Sequence, residues 1–309
     1  MYFPYLRGRQ YELLALRELL EKGLIGEKII PIVEPVKLSL TFIKTIELFK
    51  EKGRSIVIIH NPMVGDFFKE LGYPKNKNLK DLYNGMLKDS KIIKAHLINK
   101  KSKEQLEVLS KVGVTKSDII TINNKDLFSI YESEFKSNEA KYNLIPNENS
   151  FNHKIKKNKV IFSDKFNKLK RNNDYSENDN EFFSSEHLYY TMNDYIGFSD
   201  YSIIGKDFTD SGFAARAVAI HIVYFNEQQE MWVKHFVSDS NEDIKDPAKK
   251  YSEALEKLFE WESKTKTDTY AIKEFINQYK NGEYPGLGIP KKLAIMHHLE
   301  LINRYLDSK

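Results

Sequence analysis

The stretch Lys28-Ile29-Ile30-Pro31-Ile32-Val33-Glu34 shows the pattern that decides the fold of this chain: a short apolar run that ends on a charged residue. The first half repeats the pattern in three more runs, at Ser55–His60, Lys91–His96 and Asp118–Asn123. Segments of helical period follow most of these runs. Short apolar strands that alternate with helices are typical of β-α units around a parallel sheet.

The second half is less regular. With Met1–Leu6 as strand one and the four runs above as strands two to five, apolar runs predict strands six and seven at Val160–Phe162 and Tyr201–Ile204. Ala217–Phe225 is predicted as strand eight, and Met231–Val237 returns beside it as a β-hairpin. Eight strands in 309 residues favour an α/β fold, a (β/α)8 TIM-barrel-like architecture with an irregular second half and a C-terminal helical segment. An open doubly wound sheet is the alternative, although no G-x-G-x-x-G segment follows strand one.

The chain divides, on this interpretation, into a barrel-like domain and a set of terminal helices. We predict the barrel over residues 1–246, with a polar insertion near residues 132–186, and helices packed on it over residues 247–309. The sequence has no cysteine, which excludes disulfides, thiolate metal ligands and a cysteine nucleophile. It has no apolar run of about 18 residues and no signal-peptide pattern, so we expect no membrane segment and a cytoplasmic location.

Polar residues at the strand ends are the candidates for chemistry, because parallel sheets place reactive groups at the carboxyl ends of their strands. The candidate catalytic residues are Glu34, His60, His96, Asp164 and Asp207. A closed barrel would let them approach a common mouth for acid-base work or for a divalent metal. No local motif supports a metal site, so none is assigned, and a structural hydrogen bond is the alternative for each histidine.

Basic and glycine residues near the same ends suit a phosphate or carboxylate ligand. The candidate ligand-binding residues are Arg7, Arg9, Lys37, Lys206, Gly286 and Gly288. For the arginines the alternative is an ion pair with Glu34 across neighbouring strand ends. For the two glycines it is a tight turn before a terminal helix. The sequence names no cofactor.

Two further features have both a structural and a functional interpretation. His221 and His235 lie on the two arms of the hairpin and face each other in the predicted ladder, but no third zinc ligand is evident nearby. The aromatic residues on the same arms fit a core or a protein-binding edge. The basic segment Lys154–Arg171 suits either nucleic acid or self-pairing with the acidic residues that follow it.

The two ends of the chain carry a family resemblance. Met1–Leu13, together with Pro285–Gly288 and Lys292–His298, resembles a bacterial family similar to the beta-protein family of phages and bacteria, whose members begin with a strand, a basic turn and a helix. The resemblance implies a neighbouring gene for a small protein similar to a PD-(D/E)XK nuclease, and a two-component system that defends against phage. It supplies no catalytic residues.

Two hypotheses follow. The first is a non-catalytic partner or sensor subunit of a nuclease-like effector. The second is an enzyme that acts on a phosphorylated small molecule or nucleotide at the barrel mouth. They differ in whether the polar strand ends share one concave pocket.

Overall fold

The computed structural model describes residues 1–136, 139–209 and 216–309. The described chain divides into two compact units. The first consists of Met1–Leu13, Glu27–Asp164 and Glu186–Tyr201, and the second of Leu14–Gly26, Lys165–Ser185 and Ser202–Lys309. This division does not follow the predicted boundary at residue 246, because the hairpin belongs with the C-terminal helices.

The first unit is a TIM-barrel-like α/β fold, as the sequence predicts. Eight parallel strands are hydrogen-bonded in this order: β1 (Tyr5–Leu6), β2 (Ile32–Val33), β3 (Ile56–Ile59), β4 (Ile92–Leu97), β5 (Ile119–Ile122), β6 (Tyr142–Ile145), β7 (Lys159–Phe162) and β9 (Gly197–Ser199), with β8 (Asn180–Ser184) lying in the second unit. The amide N–H of Phe3 donates to the carbonyl of Phe198 at 2.9 Å, and that of Tyr5 donates to Asp200 at 2.8 Å. These bonds join the last strand to the first, so the sheet nearly closes into a barrel.

Helices alternate with these strands. They are α1 (Gln10–Glu21), which continues into the second unit, α2 (Leu40–Glu51), α3 (Phe67–Leu71), α4 (Lys77–Met86), α5 (Ser102–Lys111), α6 (Phe128–Phe135), α7 (Asn149–Lys154) and α8 (Glu186–Tyr189). The start of α2 follows from its sequence: the Ser39 hydroxyl accepts a bond from the Phe42 N–H, the usual N-cap arrangement. Phe42, Ile46 and Phe49 are buried at helical spacing and form its apolar face.

The second unit contains an antiparallel sheet and three long helices. The sheet order is β10 (Ala219–Phe225), β11 (Met231–Val237) and then β8. The helices are α9 (Pro247–Thr265), α10 (Tyr270–Asn281) and α11 (Gly288–Asp307). The predicted hairpin is confirmed, and His221 pairs with His235 in its register.

The predicted second half of the barrel requires correction. Tyr201–Ile204 is not a strand, since Ser202–Ile204 forms a short 3-10 turn after β9. Residues 217–225 belong to the antiparallel sheet, not to the barrel. The stretch predicted as an insertion, residues 132–186, supplies β6 and β7, and its residues 137–138 lie outside the described residues.

The strand β6 escapes prediction because Asn143 lies at its centre. The side-chain oxygen of Asn143 accepts bonds from the hydroxyls of Thr121 (2.9 Å) and Tyr131 (2.8 Å), so a polar residue is satisfied inside a buried strand. In the described part of the chain, no helix is both long enough and apolar enough to span a bilayer.

Candidate functional site

The strand register assigns the polar strand-end residues to two different faces of the barrel sheet. Tyr5 pairs with Ile32, and Ile32 pairs with Val57, so the three side chains share a face. Side chains alternate along a strand, which places Arg7 and Glu34 on this same face. The Tyr5 ring stacks on Phe162 of β7 with centroids 5.8 Å apart. Since β9 separates β7 from β1, this contact identifies the shared face as the barrel interior.

Two glycines allow the segments that leave β1 and β3 to approach the segment that leaves β2. Gly8 has φ +63°, and a Cβ there would lie 3.1 Å from the carbonyl oxygen of Glu34. Gly65 has φ +73°, and a Cβ there would overlap the carbonyl of Val36. Only glycine adopts this left-handed conformation without cost and also leaves space for the neighbouring backbone.

The Glu34 carboxylate is the centre of the site. Glu34 is fully buried. Its Oε2 accepts the Tyr5 hydroxyl at 2.6 Å and forms an ion pair with Arg7 Nη1. Its Oε1 accepts the Met63 amide N–H at 2.8 Å. Both carboxylate oxygens therefore hold internal hydrogen bonds, which compensate for the cost of burying the charge.

Arg7 is held between two aromatic rings. Its Cζ lies 5.1 Å from the ring centroid of Tyr5 and 5.2 Å from that of Tyr201, within the range of cation–π contacts. Burial acts to lower the pKa of Arg7, but Tyr5 and Glu34 outweigh it and raise that pKa. The guanidinium is therefore a fixed cation. The ion pair with Glu34, one of the sequence alternatives, is confirmed.

Tyr201 packs beside this cluster, and the charge of Asp164 acts on it. The Tyr201 ring lies 5.1 Å from that of Phe162, and the residue is 7% exposed. Burial raises the pKa of Tyr201, Arg7 lowers it, and Glu34 and Asp164 raise it, so Asp164 acts on the same hydroxyl as the ion pair. Asp164 follows Phe162 by two residues and is exposed. Among the described residues, the Tyr201 hydroxyl makes no hydrogen bond.

His60 and His96 lie on the other face of the sheet. Ile59 pairs with Ala95, so His60 and His96 are the next pair, one residue out of phase with the face of Glu34. His60 Nε2 lies 2.7 Å from His96 Nδ1, and His96 Nε2 lies 2.8 Å from the hydroxyl of Ser102 at the start of α5. Burial lowers the pKa of His60 to about 4 and that of His96 to about 3. This chain of neutral, hydrogen-bonded side chains, formed by His60, His96 and Ser102, is separate from the Glu34 cluster.

The remaining candidates are distributed over the two units. Lys37 is exposed and Arg9 is half-buried in the first unit, whereas Lys206 and Asp207 are exposed residues of the second. Gly286 and Gly288 also lie in the second unit, where Gly286 has φ +89° and Gly288 begins α11. The structure thus brings Arg7 and Glu34 together beside Tyr201, whose pKa Asp164 also raises, and the functional roles of these residues stay predictions.

The hairpin histidines form a cluster of their own in the second unit. His221 Nδ1 lies 2.7 Å from His235 Nδ1, and His235 Nε2 lies 3.2 Å from a Glu181 carboxylate oxygen. Burial lowers the pKa of His221 well below its usual value. No group of three potential metal ligands occurs among the described residues, and the rings of Phe166 and Tyr175 pack against the pair.

The basic segment Lys154–Arg171 is partly paired within the protein. Lys154 Nζ lies 3.1 Å from Glu132, and Arg171 lies 2.8 Å from Asp174. Lys159 is buried. The Arg171–Asp174 pair is self-pairing with the acidic residues that follow the segment, one of the two interpretations, whereas Lys154 pairs with a residue that precedes it. Nucleic-acid binding stays a prediction.

Sequence reasoning missed Tyr5, Tyr201 and the Met63 amide. Tyr5 was detectable, because it precedes Arg7 by two residues and so shares its face. Tyr201 was assigned to a strand, and a backbone amide leaves no signal in the sequence. Comparison of the chain with protein-family models, curated proteins and solved structures gave no significant match.

Proposed function

We propose that this chain is the non-catalytic partner or sensor subunit of a two-component, nuclease-associated phage-defence system. Its sensing site is the cluster of Tyr5, Arg7, Glu34 and Tyr201 at the carboxyl ends of the barrel strands. The family resemblance supports the nuclease-like partner, and the cluster supports a binding role.

The observation that carries the binding role is the set of hydrogen bonds to Glu34. A general base needs a lone pair directed at the proton that it removes. In Glu34, Oε2 accepts from Tyr5 and Arg7 and Oε1 accepts from the Met63 amide, so three of its about four lone-pair sites are directed at protein donors. A carboxylate engaged in this way holds the arginine side chain in a fixed orientation for recognition.

An exposed phenylalanine beside a half-buried tryptophan supports a protein interface. Phe182 on β8 is 49% exposed, and its ring lies 6.0 Å from that of Trp232 on β11. Aromatic residues are enriched in the energetically dominant parts of protein interfaces. We therefore assign the nuclease-like partner to this part of the second unit.

The partner role is tested by co-expression with the nuclease-like protein that the family resemblance implies is encoded beside this gene, followed by sizing with light scattering. We expect a stable complex and at least tenfold weaker association for Phe182→Ser. Val108→Ser is the control, because Val108 is equally apolar and 61% exposed but lies on α5 of the first unit. A chain that elutes alone at micromolar concentrations would contradict the proposal.

An enzyme that acts on a phosphorylated small molecule or nucleotide is the second candidate. Its support is Asp164, an exposed carboxylate whose charge acts on Tyr201 beside the Arg7 cation. An exposed carboxylate of this kind can exchange a proton with a bound substrate. Phosphorus NMR on mixtures of sugar phosphates and nucleotides tests it: turnover that Asp164→Asn abolishes would favour this candidate over the sensor.

A further inference from the structure

We infer that the outer edge of β8 is the docking site for an extended, basic segment of the partner protein, which adds to the antiparallel sheet as a further strand. The inference rests on the proposed partner role and names how the partner is held. Addition of a strand to a sheet edge is a common mode of peptide recognition, in which main-chain bonds supply affinity and side chains supply specificity.

The first argument is the direction of the main-chain groups of β8. Lys234 pairs with Asn180 in the ladder. The N–H of the next residue, His235, donates to the Asp179 carbonyl at 2.7 Å. In an antiparallel ladder this register directs the N–H and C=O groups of Asn180 and Phe182 away from β11. No group of the described residues bonds them, so β8 presents two main-chain donors and two acceptors to a further strand.

The second argument is the contrast between the two edges of this sheet. The other edge strand, β10, is covered by α11: His297 Nε2 lies 2.6 Å from the Val223 carbonyl, and the Phe225 ring lies 5.4 Å from that of Tyr305. Phe182 on β8, in contrast, is 49% exposed. The sequence of β8 also contains neither lysine nor proline, the residues that commonly protect an edge strand from pairing.

The third argument is charge, which identifies the occupant. Residues 172–185, which include β8, contain four acidic residues and no lysine, arginine or histidine. Asp174 and Asp179 form partly exposed ion pairs with Arg171 and Lys234, whereas Glu177 is exposed and has no ion pair among the described residues. A second copy of this chain would bring the same acidic segment opposite itself, but a basic strand meets opposite charges.

The two faces of β8 predict the side-chain pattern of the occupant. The Phe182 ring lies 6.0 Å from that of Trp232 on one face. Glu181 alternates with Phe182 and contacts His235 on the other face. A segment that alternates β-branched and basic residues places its apolar side chains beside Phe182 and its basic ones on the acidic face. The register shifts at Met231, so the regular edge is short and a strand of about six residues covers it.

The test titrates the full chain with two synthetic hexapeptides, Lys-Val-Lys-Val-Lys-Val and Glu-Val-Glu-Val-Glu-Val, each with blocked and therefore uncharged ends. Fluorescence anisotropy of the labelled peptide measures the affinity. We expect the basic peptide to bind, and the acidic peptide to bind more weakly by about tenfold or more, because only the basic one complements the charge of the edge.

A pair of substitutions at Asn180 tests the main-chain bonds. Asn180→Pro removes the outward-directed N–H, and Asn180→Ala keeps it, while both lose the bond that the Asn180 side chain accepts from the Tyr224 hydroxyl. Binding of the basic peptide should be weaker by about tenfold or more in Asn180→Pro than in Asn180→Ala. The two melting temperatures should be similar, because this N–H bonds no described residue.

A charge substitution gives a second test that leaves the backbone of β8 intact. Glu177→Lys should weaken binding of the basic peptide, because it removes the exposed, unpaired carboxylate of the acidic segment. Glu107→Lys is the matched control, since Glu107 is also exposed but lies on α5 of the first unit, and it should leave the affinity unchanged.

Equal affinities for the two peptides, or for the two Asn180 variants, would overturn the inference. A dimer of the natural chain alone that Asn180→Pro dissociates, measured by light scattering, would overturn it too, because the occupant would then be a second copy. The complex with the nuclease-like protein separates the two claims. A complex that Asn180→Pro leaves intact would refute only the docking mode. Peptide binding with the expected pattern, but without that complex, would refute only the partner role.

Discussion

The inner and outer faces of the barrel strands both bury polar side chains near the strand ends. The inner face does so with an ion pair, and the outer face with neutral hydrogen-bonded groups. On the inner face, Arg7 and Glu34 form a buried ion pair. On the outer face, His60, His96 and Ser102 form a chain of hydrogen bonds that stays neutral because burial lowers both histidine pKa values. The comparison teaches that a polar residue at a strand end reaches the barrel interior only if the pleat directs it inward.

Removing the Glu34 charge should have the largest effect. Glu34→Gln leaves Arg7 as a buried charge without its counter-ion, and we expect a loss of about 3–5 kcal/mol in the free energy of unfolding. Urea denaturation measures it. The control is Glu21→Gln, which disrupts a half-exposed ion pair with Arg17 and should cost under about 1 kcal/mol. Equal effects of the two substitutions would show that Glu34 does not stabilise the fold as the buried counter-ion of Arg7.

Gly65→Ala should rank next, because it disturbs the backbone that presents the Met63 amide to Glu34. The left-handed φ costs about 1–2 kcal/mol for any residue with a Cβ, and the overlap with Val36 adds to it. Gly53→Ala is the control, since Gly53 has φ +63° but open space around it. Gly65→Ala should destabilise the protein by at least about 1 kcal/mol more than the control, and thermal unfolding of both variants decides it.

Lowering the pH should lower the free energy of unfolding of the protein through the two buried histidines of the outer face. The folded pKa values of His60 and His96, about 4 and about 3, lie below the unfolded value of about 6.5. Between pH 6.5 and 4 the unfolded chain takes up protons that the folded chain does not. Stability should therefore fall as the pH falls, by up to about 1.4 kcal/mol per pH unit for each histidine, and should be independent of these groups above pH 6.5.

The measurement is the urea midpoint from pH 4.5 to 7.5 for the natural chain and for the double variant His60→Gln, His96→Gln. The variant should show a shallower acid slope. Two parallel curves would mean that these histidines are not the neutral buried groups described above.

Ser102→Ala should have the smallest effect of the series. It removes the hydroxyl that bonds His96 Nε2 and accepts the Asn99 amide, two neutral hydrogen bonds. We expect a loss of about 1 kcal/mol, well below that of Glu34→Gln. A loss as large as that of Glu34→Gln would remove the distinction between a charged and a neutral face.

The sequence predicts the first half of the barrel well, because its strands are apolar and its helices carry clear signals. Ser39 marks the start of α2, and the amphipathic stretch Ser102–Lys111 in the sequence has the bounds observed for α5. The second half is predicted poorly because β6 contains Asn143 and β9 has only three residues. Neither strand has the continuous apolar run that identifies a buried strand.

The candidate site is predictable only in part. Position along the chain identifies Arg7, Glu34 and Asp164 as strand-end residues, but it identifies His60 and His96 equally well. Which face of the sheet a strand-end side chain occupies depends on the register of its strand. Register in turn depends on pairing between strands that are distant in sequence. The Met63 amide contributes through its backbone, so its side-chain type contains no information about that role.

A double-mutant cycle on Arg7 and Glu34 tests the central claim most directly. The variants are Arg7→Met, Glu34→Leu and the pair together, each measured by urea denaturation. Each single variant should lose about 3 kcal/mol or more, and the double variant should recover most of that loss, because replacing both members of a buried ion pair removes the uncompensated charge. A coupling below about 0.5 kcal/mol, with the two losses simply additive, would contradict the account.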